Sequence, residues 1–466
     1  MKRLPYLGNY LYLCWSILKN IYATPVVFMY KKNPIDKISI PISRFIMNEK
    51  SGGIVLGISV LLALFFANFA PLSVYYFEIL ETKIGLRFNG QSYLEYDILH
   101  WINDGLMAIF FFVVGLELKK EFVGGELSNF RKALLPIGAA LGGMTVPALI
   151  YLAFNPLGEA HQGWGIPMAT DIAFALAVLY VLGKKIPLAL KVFLTAVAVV
   201  DDLGAVLVIA FFYTSEISVM SLLLGLGAAF FMFIGNKAGV RSILFYAILG
   251  IGGVWLAFLL SGVHATIAAV LAAFMIPADV KIKEDILLKR ITKHLNRFKN
   301  IDLDDKIPTL TESQLSILEK AKKDLNQAIP PLQRLEHRMH PFSTFIVLPI
   351  FALANAGVSL ALDIDTLFST NIIFGVMFGL LFGKVIGISG ATVLLIKTKI
   401  APKPKGMTIK NLLGISLLAA IGFTMSLFIT SLAFTNPEYT TQAKIGIFTA
   451  SIIAAISGFL VLNTNK

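Results

Sequence analysis

Cysteine and charged side chains are both scarce in this 466-residue chain, and each scarcity excludes a class of protein. Cys14 is the only cysteine, so neither a disulfide within the chain nor a thiolate metal cluster can form. Charged residues make up 15% of the chain, against about 25% in soluble domains. No nucleophile–base pair and no cofactor motif is visible, so we expect neither an enzyme nor a bound cofactor.

The sequence contains many long apolar runs. Hydrophobic residues are 57% of the chain, and a membrane-crossing helix needs roughly 17–25 predominantly apolar residues in a row. About twelve runs approach that length: 52–69, 99–117, 133–154, 165–183, 188–212, 218–235, 242–260, 263–277, 342–362, 371–396, 410–434 and 444–463. The eighth is short, and it is either a buried half-span or a partner of the seventh. The sequence therefore predicts an all-α polytopic membrane protein with about twelve transmembrane helices.

Lysine and arginine are distributed unevenly between the linkers. If residue 50 is cytoplasmic, the loops on that side are basic; they hold Lys119, Lys120, Arg131, Lys132, Lys184, Lys185, Lys237, Arg241, the 281–340 segment, Lys397, Lys399, Lys403 and Lys405. The opposite loops contain only Lys83 and Arg87, with Lys444 at the mouth of the last span. This asymmetry predicts that both termini are cytoplasmic. It also accounts for much of the net charge of +12, so we expect no nucleic-acid partner.

The segments outside the spans divide the chain into four parts. These are a cytoplasmic N-terminal extension, helices one to eight, a helical cytoplasmic insert and helices nine to twelve, at residues 1–50, 51–280, 281–340 and 341–466 respectively. Apolar residues at helical spacing in the extension favour a helix on the membrane surface over a signal peptide. Alternating residues around Asn89-Gly90 predict a periplasmic hairpin within 70–98. Thr311 and Gln314 fit a capping box in the insert.

Two adjacent aspartates interrupt the fifth apolar run, in the stretch TAVAVVDDLGAVLVIAFF at 195–212. An ionisable residue at the centre of a span costs roughly 2.5–3.5 kcal/mol, so Asp201 and Asp202 together would cost roughly 5–7 kcal/mol. Such groups persist where they are paired, line a wet cavity or carry function. Since successive residues on a helix point about 100° apart, these two cannot both face one partner.

Candidate partners for the two aspartates lie in other apolar runs. Asp171 sits mid-span beside Thr170 and close after a proline, a pattern typical of an interrupted helix whose freed backbone groups face a cavity or another segment. Lys384 is the single charge in its run, and Gly383 and Gly387 allow close packing around it. We expect one aspartate of the pair to form an ion pair with Lys384. The other is expected to face a cavity that it shares with Asp171.

The chemistry of such a cluster favours ion exchange. Carboxylates gathered in a low-dielectric site cannot easily all ionise, so they titrate as a coupled set. The site then holds either a proton or a hard cation, and carboxylates, Thr170 and freed carbonyls are the oxygen ligands that suit Na⁺ or Li⁺. Competition between the two for one site is the chemistry of an antiporter. The alternatives are a sodium-coupled solute symporter, and a membrane scaffold or receptor in which the Asp–Lys pair is a structural salt bridge.

Several motifs resemble those of the bacterial NhaA sodium/proton antiporters. That family's order and spacing are matched by ATDIAFALAVL, VDDLGA, SGVHAT, FGKVIGIS and AAIGFTMSLFI, and further by WINDGLMAIFFFVVGLELKKE and RLEHRMHP. The resemblance runs from about residue 50 to 462, interrupted by the insert. It implies twelve helices with inverted repeats, two of them interrupted and crossing near the midplane. It also implies an electrogenic, pH-regulated exchanger of Na⁺ or Li⁺ for H⁺ in the bacterial inner membrane, often a homodimer.

The resemblance assigns roles to individual residues. Asp201, Asp202 and Asp171 become the site for Na⁺, Li⁺ and protons, with Lys384 as the partner of Asp201. The two helix breaks fall at Asp171 and at Gly422-Phe423-Thr424. Six further residues are linked by resemblance to pH sensing, namely Glu117, Glu121, His264, Glu336, His337 and His340.

Plainer explanations exist for the six residues linked to pH. His264 fits a histidine at a helix start that makes a local hydrogen bond. Glu117 and Glu121 fit a solvated helix end, and the spacing of His337 and His340 permits metal binding but lacks a further ligand nearby. The insert directly precedes RLEHRMHP and is therefore able to alter pH sensing or add a regulatory contact.

Overall fold

The computed structural model describes residues 49–88, 91–214, 217–301, 309–359 and 370–464. The N-terminal extension, and with it the predicted surface helix, lies outside the described residues except for the two that open the first helix.

Helices make up most of the described chain. In order they are α1 Glu49–Asn68, α2 Ala70–Glu81, α3 Ile98–Gly124, α4 Phe130–Phe154, α5 Ile172–Val181, α6 Leu188–Phe212, α7 Val219–Lys237, α8 Ile243–Leu259, α9 Ala265–Met275, α10 Glu284–Lys299, α11 Glu312–Ala328, α12 331–355, α13 Ile372–Lys397, α14 Ile409–Ala419, α15 Phe423–Ala433 and α16 Pro437–Asn463. Short 3₁₀ helices occupy Glu126–Ser128, Glu159–Met168 and Gly183–Lys185. The predicted all-α polytopic membrane class is confirmed.

Eight helical segments in the described residues are long and apolar enough to cross a bilayer. They are Ser51–Asn68, Ile98–Gly124, Phe130–Phe154, Glu159–Val181, Leu188–Phe212, Val219–Lys237, Ile372–Lys397 and Pro437–Asn463. The pair α14 and α15 makes a ninth if the two are one broken span. α8 and α9 are shorter apolar helices, and α12 carries charge in its first half. The count of twelve stays a prediction.

Two antiparallel strands, β1 Lys83–Phe88 and β2 Gln91–Asp97, form a hairpin between α2 and α3. Lys83 pairs with Asp97 and Phe88 with Gln91, and the register shifts between Ile84 and Leu86. The side chain of Asp97 then accepts a hydrogen bond from a backbone N–H in the first turn of α3. The hairpin therefore leads directly into a capped transmembrane helix.

The insert begins as a helical hairpin of α10 and α11, which pack against each other. The predicted capping box is confirmed, because the Thr311 hydroxyl accepts from the N–H of Gln314 while the Gln314 amide accepts from the N–H of Thr311. The Asp324 carboxylate joins α11 to α10 through Arg290 and His294, each 3.0 Å away. The hydrogen bond from His294, together with the nearby Arg290, lowers the pKa of Asp324 below its ordinary value.

Glycines bring α4 and α13 into close contact. A Cβ atom at Gly387 would overlap the carbonyl group of Gly142, and one at Gly383 would lie 2.6 Å from the Cα of Pro147. The predicted close packing around Lys384 is confirmed, and it holds the Lys384 backbone firmly against α4.

Candidate functional site

Two interrupted helices meet inside the protein. Residues 169–171 are extended between the 3₁₀ helix Glu159–Met168 and α5, while residues 420–422 separate α14 from α15, which bend by 45°. The N–H of Asp171 donates to the carbonyl oxygen of Ile421 at 2.6 Å. The Ser426 hydroxyl donates to the carbonyl of Ile166 at 2.8 Å. Each break thus satisfies backbone groups that the other leaves open.

Local sequence explains where these helices stop. Pro167 closes the 3₁₀ helix, and Asp171 stands at the N-cap of α5 in an extended conformation. In the other break, a Cβ atom at Gly422 would lie 2.8 Å from the Leu380 side chain and 3.2 Å from the carbonyl oxygen of Ala169. A larger residue at position 422 would require these neighbours to shift, so glycine favours the close approach of the two breaks.

Asp171 caps two helices at once. One carboxylate oxygen accepts the N–H of Phe174, in the first turn of its own helix α5, at 3.0 Å. The other accepts the N–H of Thr424, in the first turn of α15, at 2.9 Å, and also the Thr424 hydroxyl. The positive ends of two half-helices therefore face a single carboxylate that is 1% exposed.

We expect Asp171→Ala to lower thermal stability more than the removal of an ordinary helix cap. A single N-cap contributes about 0.5–2 kcal/mol, and Asp171 serves two helix ends in a buried position. Thermal unfolding of the purified protein in detergent measures the loss. Asp97→Ala is the matched control, because Asp97 caps only α3. Equal losses for the two variants would contradict the double-cap interpretation.

Asp201, on α6, pairs with Lys384 on α13. Both side chains have no exposed surface, and the Lys384 ammonium contacts Oδ2 of Asp201 directly. A π-helical stretch, Gly379–Gly383, immediately precedes Lys384. The Thr170 hydroxyl lies 2.7 Å from the same carboxylate oxygen and 2.8 Å from the carbonyl of Ala419. Asp201 is thereby joined to α13 and to both helix breaks.

Asp202 has no such partners. Both of its carboxylate oxygens are buried and make no hydrogen bond within the described chain, and the residue is 1% exposed. It lies within electrostatic reach of three other acids, Asp201, Asp171 and Glu117. The one cation that acts on it is Lys384, which is already engaged by Asp201. A buried carboxylate without a hydrogen-bond donor, beside more acids than cations, is strongly unfavourable when ionised. The arrangement favours a group that takes up a proton or a cation.

The three aspartates surround the crossing of the breaks, but they have different contacts. Asp171 faces two helix ends, Asp201 faces Lys384, and Asp202 makes no hydrogen bond to the part of the chain that the structure describes. Among the described residues, no group of three His, Cys, Asp or Glu side chains converges to hold a metal ion. The structure therefore places the three predicted aspartates near one another, but their carboxylates do not converge on one metal position. A transported cation would draw oxygens from carboxylates, from Thr170 and from backbone carbonyls.

Three of the six residues linked to pH form contacts where α3 and α12 meet. His340 lies 3.7 Å from the Glu117 carboxylate, and Lys120 forms an ion pair of 2.7 Å with Glu336. Glu121 is one turn further along α3, and its carboxylate accepts the N–H of Glu126 at 3.0 Å.

The other two residues linked to pH do not join these contacts. His337 is exposed on α12. His264 precedes α9, and its Nε2 lies 2.8 Å from the carbonyl oxygen of Tyr213. That bond spans 51 positions, so it is not the local bond that a helix-start histidine would suggest. It interacts electrostatically with Asp104, in the first turns of α3, whereas Glu117 belongs to the last turns of that helix.

Sequence reasoning placed Thr424 at a helix break but did not assign it to the site. The structure joins its N–H and hydroxyl to Asp171. A signal was present, because a threonine in the first turn of an interrupted helix has a hydroxyl beside unpaired backbone N–H groups. Lys120, the partner of Glu336, was noted only as a basic loop residue.

Comparison with known proteins identifies the family of this chain. The family model described as "Na+/H+ antiporter 1" matches residues 43–462. The chain is 46% identical over 429 residues to the "Na(+)/H(+) antiporter NhaA" of Oleidesulfovibrio alaskensis, covering 92% of this chain and 95% of that protein. The relative of the same name from Sulfurimonas denitrificans is 46% identical over 432 residues, covering 92% and 96%. A further one from Wolinella succinogenes is 45% identical over 424 residues, covering 90% and 92%. A match of this length and identity means that the chain belongs to the Na⁺/H⁺ antiporter 1 family.

Proposed function

We propose that the chain exports Na⁺ or Li⁺ in exchange for H⁺, and that a proton and the cation compete for Asp202. The observation that carries this proposal is the pair of Asp202 oxygens, both buried and both without a hydrogen-bond donor among the described residues. A proton neutralises this carboxylate, and a small cation neutralises it equally well. Because the two occupants exclude each other, binding of one releases the other, and this is the requirement for coupled exchange.

The crossing of the two breaks provides the moving part. The extended residues 169–171 and the non-helical link at 420–422 offer carbonyl oxygens as cation ligands, beside the carboxylate of Asp171. Hydrogen bonds through Thr170, Asp171 and Ser426 hold the two breaks together. We therefore expect α5 and α15 to move as a unit against α6, and a small displacement of this unit changes which side of the membrane reaches Asp202. Alternating access of this kind carries a proton inward and a cation outward.

Asp201 and Lys384 support the site in this proposal. The ammonium of Lys384 balances one of the three aspartates, so that Asp202 and Asp171 hold the exchangeable charge. If Lys384 also releases a proton when the cation binds, more protons than cations move per cycle. The exchange is then electrogenic.

The direct test is Na⁺-driven proton movement in proteoliposomes. A preformed pH gradient is monitored while Na⁺, Li⁺ or K⁺ is added, across roughly pH 6.5 to 8.5. Collapse of the gradient by Na⁺ or Li⁺ in the absence of any organic solute supports exchange and excludes a solute symporter. A gradient that no cation collapses at any pH would contradict the proposal.

We further propose that pH regulation acts where α3 meets α12, through Glu117 and His340. A histidine titrates near neutral pH, and at 3.7 Å its charge interacts directly with the carboxylate. Glu336 and Glu121 contribute to the pH response at the same end of α3. His337 and His264 lie outside these contacts, so they act on the pH response less directly.

His340→Gln is therefore expected to move the midpoint of the activity–pH profile by about half a pH unit or more, since charges within hydrogen-bonding range perturb titration on that scale. The same proteoliposome assay measures it. His337→Gln is the matched control, because His337 lies three residues earlier on the same helix and outside the contact with Glu117, so we expect a clearly smaller shift. Identical profiles for both variants and the unmodified protein would remove His340 from the sensor.

The orientation and assembly follow from the charge distribution and the hairpin. We propose a multi-pass protein of the bacterial inner membrane with both termini cytoplasmic, surrounded by lipid. The β1–β2 hairpin then lies on the periplasmic side, where its open strand edges are able to pair with a second copy of the chain in a homodimer.

A further inference from the structure

A cavity of about 430 Å³ opens where the insert joins the transmembrane helices. Backbone hydrogen bonds fix its walls. The N–H groups of Lys281 and Ile282 donate to the carbonyl oxygen of Gln327, near the end of α11. The N–H of Leu332, at the start of α12, donates to the carbonyl oxygen of Pro277. The cavity is therefore a feature of the folded junction.

Cationic side chains dominate the lining of this cavity. They are Arg241, Lys281, Lys322, Lys323 and Arg334, opposed by Glu319 alone among the acids that line it. The electrostatic potential inside is consequently positive, and a cavity with walls of one sign concentrates ions of the opposite sign.

A second cavity, of about 450 Å³, adjoins the first through Lys323 and Gln327. It adds further cations, Arg290, Lys293, Arg297 and Lys320, while its one acidic lining residue is Asp324. That carboxylate is already engaged by Arg290 and His294. The positive region thus extends along the groove between α10 and α11.

Two guanidinium groups at the first cavity carry N–H groups that have no acceptor among the described residues. Nε and Nη1 of Arg241 and Nε of Arg334 are buried and have no hydrogen-bond partner among the described residues. Nη2 of Arg241 contacts Asp279, whose side chain is 69% exposed. Buried N–H donors on a charged group are destabilising until an acceptor reaches them. An anion in the cavity would place acceptors beside both arginines.

We propose that this cavity binds a phosphate-bearing anion. Tetrahedral phosphate oxygens match the fork of N–H donors on a guanidinium group, and lysine ammonium groups add point charges. The volume admits a phosphate group with a small organic or phosphate extension. Arg334 is two residues before Glu336 on α12, so the bound anion lies beside the helix that leads from the insert into the membrane. Two sources share this chemistry, a soluble phosphorylated molecule and the headgroup of an anionic lipid.

Hydrogen exchange in α10, α11 and the first half of α12 tests the proposal with the full-length protein in nanodiscs. One arm uses zwitterionic lipid and adds tripolyphosphate, with sodium chloride of equal ionic strength as the reference. The other arm adds no tripolyphosphate and replaces part of the lipid by phosphatidylglycerol. The site variant is Lys322→Gln with Lys323→Gln. The matched control is Lys403→Gln with Lys405→Gln, two exposed lysines in the loop after α13.

We expect protection of these helices in at least one arm for the unmodified protein and for the control variant. The site variant should need about tenfold more anion for the same protection, because two cations near the bound charge are lost. Protection by tripolyphosphate identifies a soluble source, and protection only by phosphatidylglycerol identifies a headgroup. Lack of protection in both arms, or equal protection in the site variant, would overturn the proposal. The readout does not depend on transport, so it stands apart from the proposed exchange activity.

Discussion

Asp202→Asn is expected to abolish Na⁺-driven collapse of a pH gradient in proteoliposomes, with activity reduced at least about a hundredfold. Two carboxylate oxygens that have no partner in the described chain are replaced by an amide. The amide neither takes up a proton near neutral pH nor carries the negative charge that attracts Na⁺. Both exchanging ions therefore lose the same binding group.

The thermal stability of Asp202→Asn distinguishes a transport role for Asp202 from a structural role. An ionised carboxylate without partners destabilises the folded protein, so Asp202→Asn should leave the unfolding temperature in detergent unchanged or raise it slightly. A residue required for folding would show the opposite result. The two measurements together thus distinguish a functional aspartate from a structural one.

Asp104→Asn is the matched control for Asp202→Asn. Asp104 is another largely buried aspartate, in the first turns of α3, and His100 lies 3.1 Å from it. The chemical change is identical, but the residue is outside the crossing of the two breaks. We expect Asp104→Asn to retain most of the exchange. Sodium-driven proton movement that persists in Asp202→Asn would remove Asp202 from the site.

Much of the architecture could be predicted from the sequence because the membrane imposes simple rules. Apolar runs define the spans, and a charge within a run is expensive enough to demand a partner. The need of a buried charge for a partner is by itself enough to predict an ion pair between an aspartate of α6 and Lys384. An interruption near Asp171 follows from the nearby proline and from the preference of aspartate for helix N-caps.

The identity of each partner could not be predicted in the same way. The local pattern does not distinguish Asp201 from Asp202, and only the family resemblance assigned Lys384 to Asp201. In the structure the rotation of α6, set by its packing, turns Asp201 towards Lys384. The second cap of Asp171 joins residues 253 positions apart. No local pattern reports such a contact, so Thr424 was placed at the break without a role in the site. Similarly, the packing of α12 on α3 determines that Lys120 contacts Glu336.

Lys384 and Asp201 are expected to be strongly coupled in stability, and a double-mutant cycle measures that coupling. Lys384→Met leaves the Asp201 carboxylate buried without its counter-charge, and Asp201→Leu leaves the ammonium in the same condition. Removing one member of a buried ion pair costs about 3–5 kcal/mol. Each single variant should therefore unfold at a clearly lower temperature in detergent than the unmodified protein.

The double variant Lys384→Met with Asp201→Leu should recover most of the loss, because apolar side chains in a fully buried site need no counter-charge. Val197→Ala with Lys384→Met provides the control cycle, since Val197 is a buried apolar residue one turn earlier on α6. Its effect should add to that of Lys384→Met without coupling. Additive losses for the Asp201 cycle would mean that the pair contributes little to folding. Recovery of stability without recovery of exchange would instead mean that the pair is kept for transport, because apolar packing satisfies the fold equally well.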